Sequence, residues 1–320
     1  MRLAATTAAF FSLAMPVIAG DLLLQQPVDC TLGQTCFIQQ YVDRDPGNAA
    51  RDFTCGALSY DGHKGTDFGL PSLAAMRAGV DVLAAAPGVV IGTRDGMPDT
   101  GYSKDTAAAI EGKECGNGVV IDNGDGWQTQ YCHLKSGSVR VRRNDVIKAG
   151  QVLGQVGLSG KTQFPHVHLS VRKNGAVVDP FSSVAADTCG GAVETLWDVA
   201  PEYRPGGTLN AGFSTRVPSF AEVKDGPAPA PLSVMDEALV LWVYAYGSQP
   251  GDILQLTISG PAGIVLSKDV TLEKTQAQYF RAVGKRRPGA GFAPGTYNGQ
   301  IRLIRDGKQL DTRQTQVVLN

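Results

Sequence analysis

Four histidines carry the most chemically informative pattern in this sequence. His63 is followed four residues later by Asp67. The glycine between them, Gly65, allows a bend that would bring the imidazole and the carboxylate to one metal ion. His166 and His168 are two residues apart, so a β-strand would place both rings on one face of a sheet. The spacing therefore predicts that these side chains meet at one metal site.

The remaining histidine, His133, ends the strand-like segment that begins at Gln128. Strand alternation predicts that His133 points to the same side as Tyr131, with Cys132 on the other side. Two imidazoles and one carboxylate leave a zinc ion with an open fourth position, at which water is activated for hydrolysis. Two histidines then remain for proton transfer or for stabilising a tetrahedral oxyanion.

Short strands separated by glycines must position these side chains. Such strands recur from about residue 80 to 181, and the segment Asp122–Gly126 predicts a hairpin turn between two of them. A proline-rich stretch follows at residues 225–231, and strands resume from Ala238. This pattern predicts a mainly β protein in which a small C-terminal β-sandwich follows the histidine-bearing domain.

Composition excludes several other classes of protein. The chain has 29 basic and 30 acidic residues and a net charge of -1, so no overall positive field attracts nucleic acid. After the first stretch, no apolar run approaches the roughly 20 residues that a membrane span requires. We therefore expect no nucleic-acid partner and no membrane span after removal of a signal peptide.

The first 19 residues have the features of a signal peptide. A basic start, Met1-Arg2, precedes an apolar run that ends in the small-x-small sequence Val17-Ile18-Ala19. We expect export, to the periplasm or out of the cell. The six cysteines are then expected to form disulfides, for which 15 pairings exist.

At the histidine motifs the sequence resembles the zinc metallopeptidases of the M23 family, the lysostaphin-like or LytM-type endopeptidases. The resemblance runs from about Asp61 to Phe181. Its motifs are His63-Lys64-Gly65-Thr66-Asp67-Phe68, Ala84–Val90, Gly118–Gly124, Tyr131-Cys132-His133-Leu134, Gly157-Leu158-Ser159-Gly160, His166-Val167-His168-Leu169, and Asn174-Gly175 to Asp179-Pro180.

The resemblance implies a LytM-type antiparallel β-sheet catalytic domain. It also implies that His63, Asp67 and His168 hold one Zn²⁺ per chain, and that His133 and His166 are catalytic. The implied activity is that of a zinc metalloendopeptidase. Its implied substrate is a peptide of bacterial peptidoglycan, in the cross-links or the stems.

Two alternatives remain open. One is a non-cleaving LytM-type module that binds cell wall or activates another wall hydrolase. Family members of that kind usually lack metal ligands, whereas all three ligand positions are filled here. The other is a peptidase that acts on proteins rather than on cell wall, because the motifs specify the metal and not the cleft.

Outside the motifs, the sequence predicts five segments and one insertion. The segments are a signal peptide at 1–19, an irregular lead-in at 20–60, the M23-like domain at 61–190, a linker at 191–232, and a β-sandwich-like accessory domain at 233–320. The stretch Asp95–Glu114 lengthens a connection between two core strands and is expected to form a loop over the groove. One disulfide arrangement suits the spacing: Cys30 with Cys36, Cys55 with Cys189, and Cys115 with Cys132.

Overall fold

A computed structural model describes residues 22–183, 188–190, 194–227 and 231–320 of the chain. The predicted signal peptide, residues 1–19, lies outside the described residues. None of the helices formed by the described residues is long and apolar enough to cross a membrane.

The elements fall into an N-terminal and a C-terminal unit. The N-terminal unit contains β1 (Phe37–Gln40), β2 (Thr66–Gly69), α1 (Leu73–Ala78), β3 (Asp81–Leu83), β4 (Gly88–Arg94), α2 (Ala107–Ile110), β5 (Asn117–Gly124), β6 (Trp127–Leu134), β7 (Val146–Ile147), β8 (Val152–Gln155), β9 (His166–Lys173) and β10 (Ala176–Val178). The C-terminal unit contains β11 (Gly207–Ser214), α3 (Phe220–Asp225), β12 (Ala238–Ser248), β13 (Ile253–Gly260), β14 (Gly263–Thr271), β15 (Gln276–Arg286), β16 (Gly295–Arg305) and β17 (Lys308–Leu319).

One antiparallel sheet carries most of the chemically interesting side chains. Its strands lie in the order β1, β2, β9, β6, β5, β4 and β7, and β10 pairs with the other end of β9. The strand with His166 and His168, β9, therefore lies between the strand with Asp67 and the strand with His133. The predicted mainly β architecture with an antiparallel sheet is confirmed.

Successive side chains of β9 alternate between the two faces of the sheet, and one of these faces packs into the core. Val167, Leu169 and Val171 are buried in the hydrophobic core of the N-terminal unit. Burying each such side chain contributes about 1.5–3 kcal/mol to folding. Because alternate residues of a strand point to opposite faces, His166 and His168 are held on the face away from this core.

Three disulfides fasten the N-terminal unit. They join Cys30 to Cys36, Cys55 to Cys189, and Cys115 to Cys132. The predicted pairing is confirmed. The Cys55–Cys189 bridge ties the segment before β2 to the chain that follows β10, across 134 positions of sequence.

The C-terminal unit is a sandwich of two sheets. One has the strand order β11-β12-β15, and the other has the order β14-β13-β16-β17. Apolar side chains from both sheets, such as Leu241, Leu256 and Leu303, form a second hydrophobic core. This arrangement agrees with the predicted C-terminal β-sandwich.

β12 is buried on both faces because it packs against both units. Leu241 and Val243 belong to the sandwich core, whereas Trp242 and Tyr244 pack into the core of the N-terminal unit. The strand is accordingly a continuous apolar run without polar alternation, as expected when both faces are covered.

The structure differs from the predicted irregular lead-in and linker. β1 lies within residues 20–60 and pairs with β2. β11 and α3 lie within residues 191–232, and β11 pairs with β12. The sequence around these elements is rich in Gly and Pro and therefore resembles loops. The strands form because they pair with distant strands, which local propensity does not indicate. The domain boundaries therefore remain a prediction.

Candidate active site

Three side chains bring metal-ligating atoms to one point. His63 Nε2 lies 3.2 Å from Asp67 Oδ1 and 3.1 Å from His168 Nδ1. His168 Nδ1 lies 2.8 Å from the same Asp67 oxygen. All three ligand atoms lie within 4.8 Å of one another. These are the three residues for which the family resemblance implied metal binding.

The sheet places two of these groups and a loop places the third. Asp67 on β2 and His168 on β9 are direct cross-strand partners, so their side chains emerge side by side. His63 precedes β2, and its backbone N–H donates to the carbonyl of Tyr60. The ring of Tyr60 packs against the His63 imidazole, with 4.4 Å between ring centroids.

Hydrogen bonds behind the imidazoles select the ring nitrogen that faces the site. His63 Nδ1 lies 2.7 Å from the carbonyl oxygen of Tyr41, and donating to it leaves the Nε2 lone pair free. His168 lies the other way round: Nε2 is 3.0 Å from Ser170 Oγ, and when Nε2 donates to this hydroxyl the Nδ1 lone pair is free. Such outer hydrogen bonds orient metal-binding histidines.

The charge balance of this group suits a cation. The Asp67 side chain is almost fully buried. Burial acts to raise the pKa of its carboxyl, but His63 and His166 outweigh burial and hold the pKa well below its usual value. Two imidazole nitrogens and one carboxylate oxygen are a donor set that fits zinc and leaves one coordination position open. The residues present therefore fit the implied metal.

Two further histidines face the same point. The rings of His133 and His166 are 4.7 Å apart between centroids, and His166 Nε2 lies 3.4 Å from Asp67 Oδ1. His133 Nδ1 donates to the carbonyl of Ser159 at 2.8 Å, and His166 Nδ1 donates to the carbonyl of Phe164 at 3.0 Å. Both rings therefore keep Nε2 available toward the site.

The electrostatic surroundings keep His133 neutral. Burial, together with the imidazoles of His166 and His168, holds the pKa of His133 well below its usual value. A neutral imidazole with a free Nε2 accepts a proton, which is the requirement for a general base.

The predicted strand alternation, however, does not explain why His133 points toward the site. Tyr131 pairs with Leu169 and is fully buried in the core, so alternation would send His133 into the core as well. Instead His133 has φ 63°, in the left-handed region, beside a register irregularity between Asn117 and Val119 of the neighbouring strand. This bulge re-aims the imidazole toward the metal-ligand group.

Sequence reasoning missed the residues that hold these rings. Ser159 is fully buried: its Oγ donates to the carbonyl of Leu134 and accepts from the N–H of Asn117, and its carbonyl holds His133. Ser170 supports His168 from the same face of β9. The sequence does indicate Ser170, because it lies two residues after His168 and a strand places both side chains on one face.

A cleft of about 580 Å³ lies over the histidines. Tyr102, from the stretch Asp95–Glu114, lines it, so this insertion reaches the groove as expected. The C-terminal unit also lines the cleft, through Phe220 and Lys224 of α3 and through Gln278 of β15. No sequence signal pointed to that contribution.

Residues 61–180 match the family described as "Peptidase family M23". The DD-carboxypeptidase/endopeptidase Mpg of Neisseria meningitidis serogroup B is 32% identical over 120 residues, which are 38% of this chain and 22% of the relative. The peptidoglycan DD-endopeptidase ShyA of Vibrio cholerae is 30% identical over 117 residues, or 37% of this chain and 22% of that protein. The chain thus spans about a fifth of the length of these curated relatives.

The chain is also similar to a solved structure. It is the catalytic domain of the prophage-encoded M23 protein EnpA from Enterococcus faecalis, at 26% identity and a TM-score of 0.33. The match covers 50% of this chain and 96% of that chain.

Proposed function

We propose that residues 61–180, a domain of peptidase family M23, make this chain an exported zinc-dependent endopeptidase that cleaves peptide bonds in the cross-links or stems of bacterial peptidoglycan. The observation that carries the proposal is the convergence of His63 Nε2, Asp67 Oδ1 and His168 Nδ1 within 4.8 Å of one another. The name of the Vibrio cholerae relative, a peptidoglycan DD-endopeptidase, supports peptidoglycan as the substrate, and the name of the Neisseria relative supports endopeptidase activity.

In this proposal His63, Asp67 and His168 hold one Zn²⁺ per chain. The ion, when bound, supplies a Lewis acid that polarises the scissile carbonyl and lowers the pKa of water. Tyr41 and Ser170 keep the two ligand imidazoles in the tautomers that metal binding requires.

His133 and His166 handle the protons of the reaction. The free Nε2 of one neutral imidazole takes a proton from the attacking water and later gives it to the amine nitrogen of the leaving group. The other imidazole acts in its protonated form, with Nδ1–H on the backbone carbonyl and Nε2–H donated to the oxyanion that develops on the carbonyl oxygen. Ser159 and Phe164 hold the rings through Nδ1, so neither ring needs to reorient during the reaction.

Export is supported by the signal-peptide features of residues 1–19 and by the three disulfides. Disulfides persist in oxidising compartments such as the periplasm or the cell exterior, where peptidoglycan is also accessible.

The proposal is tested by incubating the purified, zinc-loaded protein with peptidoglycan sacculi and identifying the released muropeptides by mass spectrometry. The wild-type protein should release fragments cut at a peptide bond. His168→Ala should lose both the zinc and the release, whereas Lys64→Ala, at an exposed neighbour of the ligand His63, should keep both. A zinc-loaded wild-type protein that binds sacculi and releases nothing would identify a non-cleaving module instead.

A further inference from the structure

We infer that the C-terminal unit supplies the second wall of the substrate cleft, and that Lys224 on this wall binds a free carboxylate of the substrate. The inference rests on the proposed peptidase function and narrows its substrate to peptides that carry a carboxylate beside the scissile bond.

The cleft has walls from two distant parts of the chain. Asp67, His133, His166 and His168 line one side. Residues of α3 and β15 also line the cleft: Phe220, Lys224, Ala277 and Gln278. A substrate seated over the histidines therefore contacts the C-terminal unit.

Direct hydrogen bonds fix this wall to the catalytic sheet. The fully buried Gln39 side chain donates through Nε2 to the carbonyl of Ala277 at 2.6 Å and accepts at Oε1 from Gln278 Nε2 at 3.0 Å. Asn210 Nδ2 donates to the carbonyl of Pro71 at 2.6 Å. The wall is thus held at a fixed distance from the histidines, as a specificity surface requires.

Phe220 gives the wall an aromatic face. It is 42% exposed and packs parallel to Phe280 and edge-on to Tyr244, at 5.9 Å between centroids in both cases. It is the first residue of α3, whose start is fixed by a capping box between Ser219 and Glu222. The exposed ring is therefore held in place before a substrate arrives.

Lys224 is a half-buried cation without a counter-charge. Its Nζ donates to the carbonyl of Gln163 at 2.6 Å and lies 5.7 Å from the centre of the Phe220 ring. Among the described residues, no carboxylate lies within ion-pair distance of it. Burial lowers the pKa of Lys224, which records the cost of holding this charge partly out of water.

The other lysine of the cleft is in a different situation. Lys161 is exposed and interacts electrostatically with Glu114. Lys224 has two ammonium hydrogens left after its bond to Gln163, and a carboxylate would accept them in a charge-assisted hydrogen bond. Among the described residues neither lysine has a carboxylate within ion-pair distance, and Lys224 is the one of the two whose charge is half-buried.

Gln40 is a further polar side chain that lines the cleft. Gln40 lines the cleft and is only 6% exposed, and its Oε1 has no hydrogen-bond partner among the described residues. Gln40 is the cross-strand partner of Asp67, so it lies beside the proposed ligand group. A buried acceptor without a partner is costly to keep next to the proposed ligand group.

The test compares two stem peptides that are identical except that one carboxylate near the scissile bond is a carboxamide in the second. With the zinc-loaded full chain, the carboxylate peptide should have the lower KM. Lys224→Gln should raise that KM roughly tenfold, the order expected for one partly exposed charge-assisted hydrogen bond, and should abolish the difference between the peptides. Lys224→Arg, which keeps the charge, should retain the preference. Lys268→Gln, at an exposed site on β14, should change neither KM.

Binding of the same peptides to His133→Ala and to His133→Ala/Lys224→Gln gives a readout that needs no turnover. A carboxylate preference that disappears in the double variant supports the inference even if the wild-type protein cleaves nothing, in which case only the proposed function fails. If the wild-type protein cleaves both peptides with equal KM, or if Lys224→Gln affects both equally, the inference is overturned and the proposed function stands.

Discussion

Gly65 and His168 approach so closely that a β-carbon on Gly65 would lie 2.5 Å from His168 Nε2. The carbonyl oxygen of Leu169 would lie 2.6 Å from the same carbon. Gly65 is not among the glycines with positive φ, so it is required for space and not for an unusual backbone conformation. The turn between His63 and Asp67 must pass directly against His168 for the three donor atoms to meet.

Gly65→Ala should therefore displace His168 and weaken zinc binding by roughly 10–100-fold, as loss of the groups that orient a metal ligand does. The measurement is a zinc dissociation constant from competition with a chelator. Gly92→Ala is the matched control, because the nearest atom to its new β-carbon would be 4.0 Å away. Equal zinc affinity in Gly65→Ala and the wild-type protein would show that the site does not depend on this contact.

The Cys55–Cys189 disulfide should contribute more to stability than the Cys30–Cys36 disulfide. The two bridges span 134 and 6 positions of sequence, and a longer closed loop restricts the unfolded chain more. Replacing both cysteines of a pair by serine should lower the free energy of unfolding by about 4–5 kcal/mol for the long loop and about 2 kcal/mol for the short loop. Urea denaturation measures both values, and the reverse order would contradict the chain-entropy explanation.

Trp242 should hold the two units together. It is 5% exposed and packs from β12 into the core of the N-terminal unit. Trp242→Ala should lower the free energy of unfolding by about 3–5 kcal/mol, the usual effect of truncating a buried large aromatic side chain. Ile264→Ala, at a position on β14 that is 75% exposed, is the control and should change stability by less than about 0.5 kcal/mol. A Trp242→Ala protein as stable as the control would show that the units are not packed together.

Local patterns sufficed for the parts of the fold and the site that depend on short stretches of chain. The alternation of His166 and His168 with buried valine and leucine residues follows directly from strand geometry. The position of His133 did not follow, because a bulge and a left-handed residue override the alternation there. A register irregularity depends on how two strands pair, which neither strand's sequence records alone.

The second wall of the cleft was beyond sequence reasoning for a related reason. Gln39 and Gln278 are hydrogen-bonded across 239 positions of sequence. Such a contact depends on how β12 packs against the catalytic unit. The burial of β12 on both faces is visible in the sequence only as an apolar run, which does not identify the surface that covers this strand.

The central claim is that this chain is a zinc enzyme in which His133 acts on the transition state and does not bind the metal. The most direct test measures zinc content and the rate of muropeptide release for the wild-type protein and for His133→Ala. We predict one zinc per chain in both, with kcat reduced roughly 10²–10⁴-fold in His133→Ala, because a general acid–base contact strengthens only as charge develops. A zinc-loaded His133→Ala protein with turnover within tenfold of wild type would contradict the assigned role.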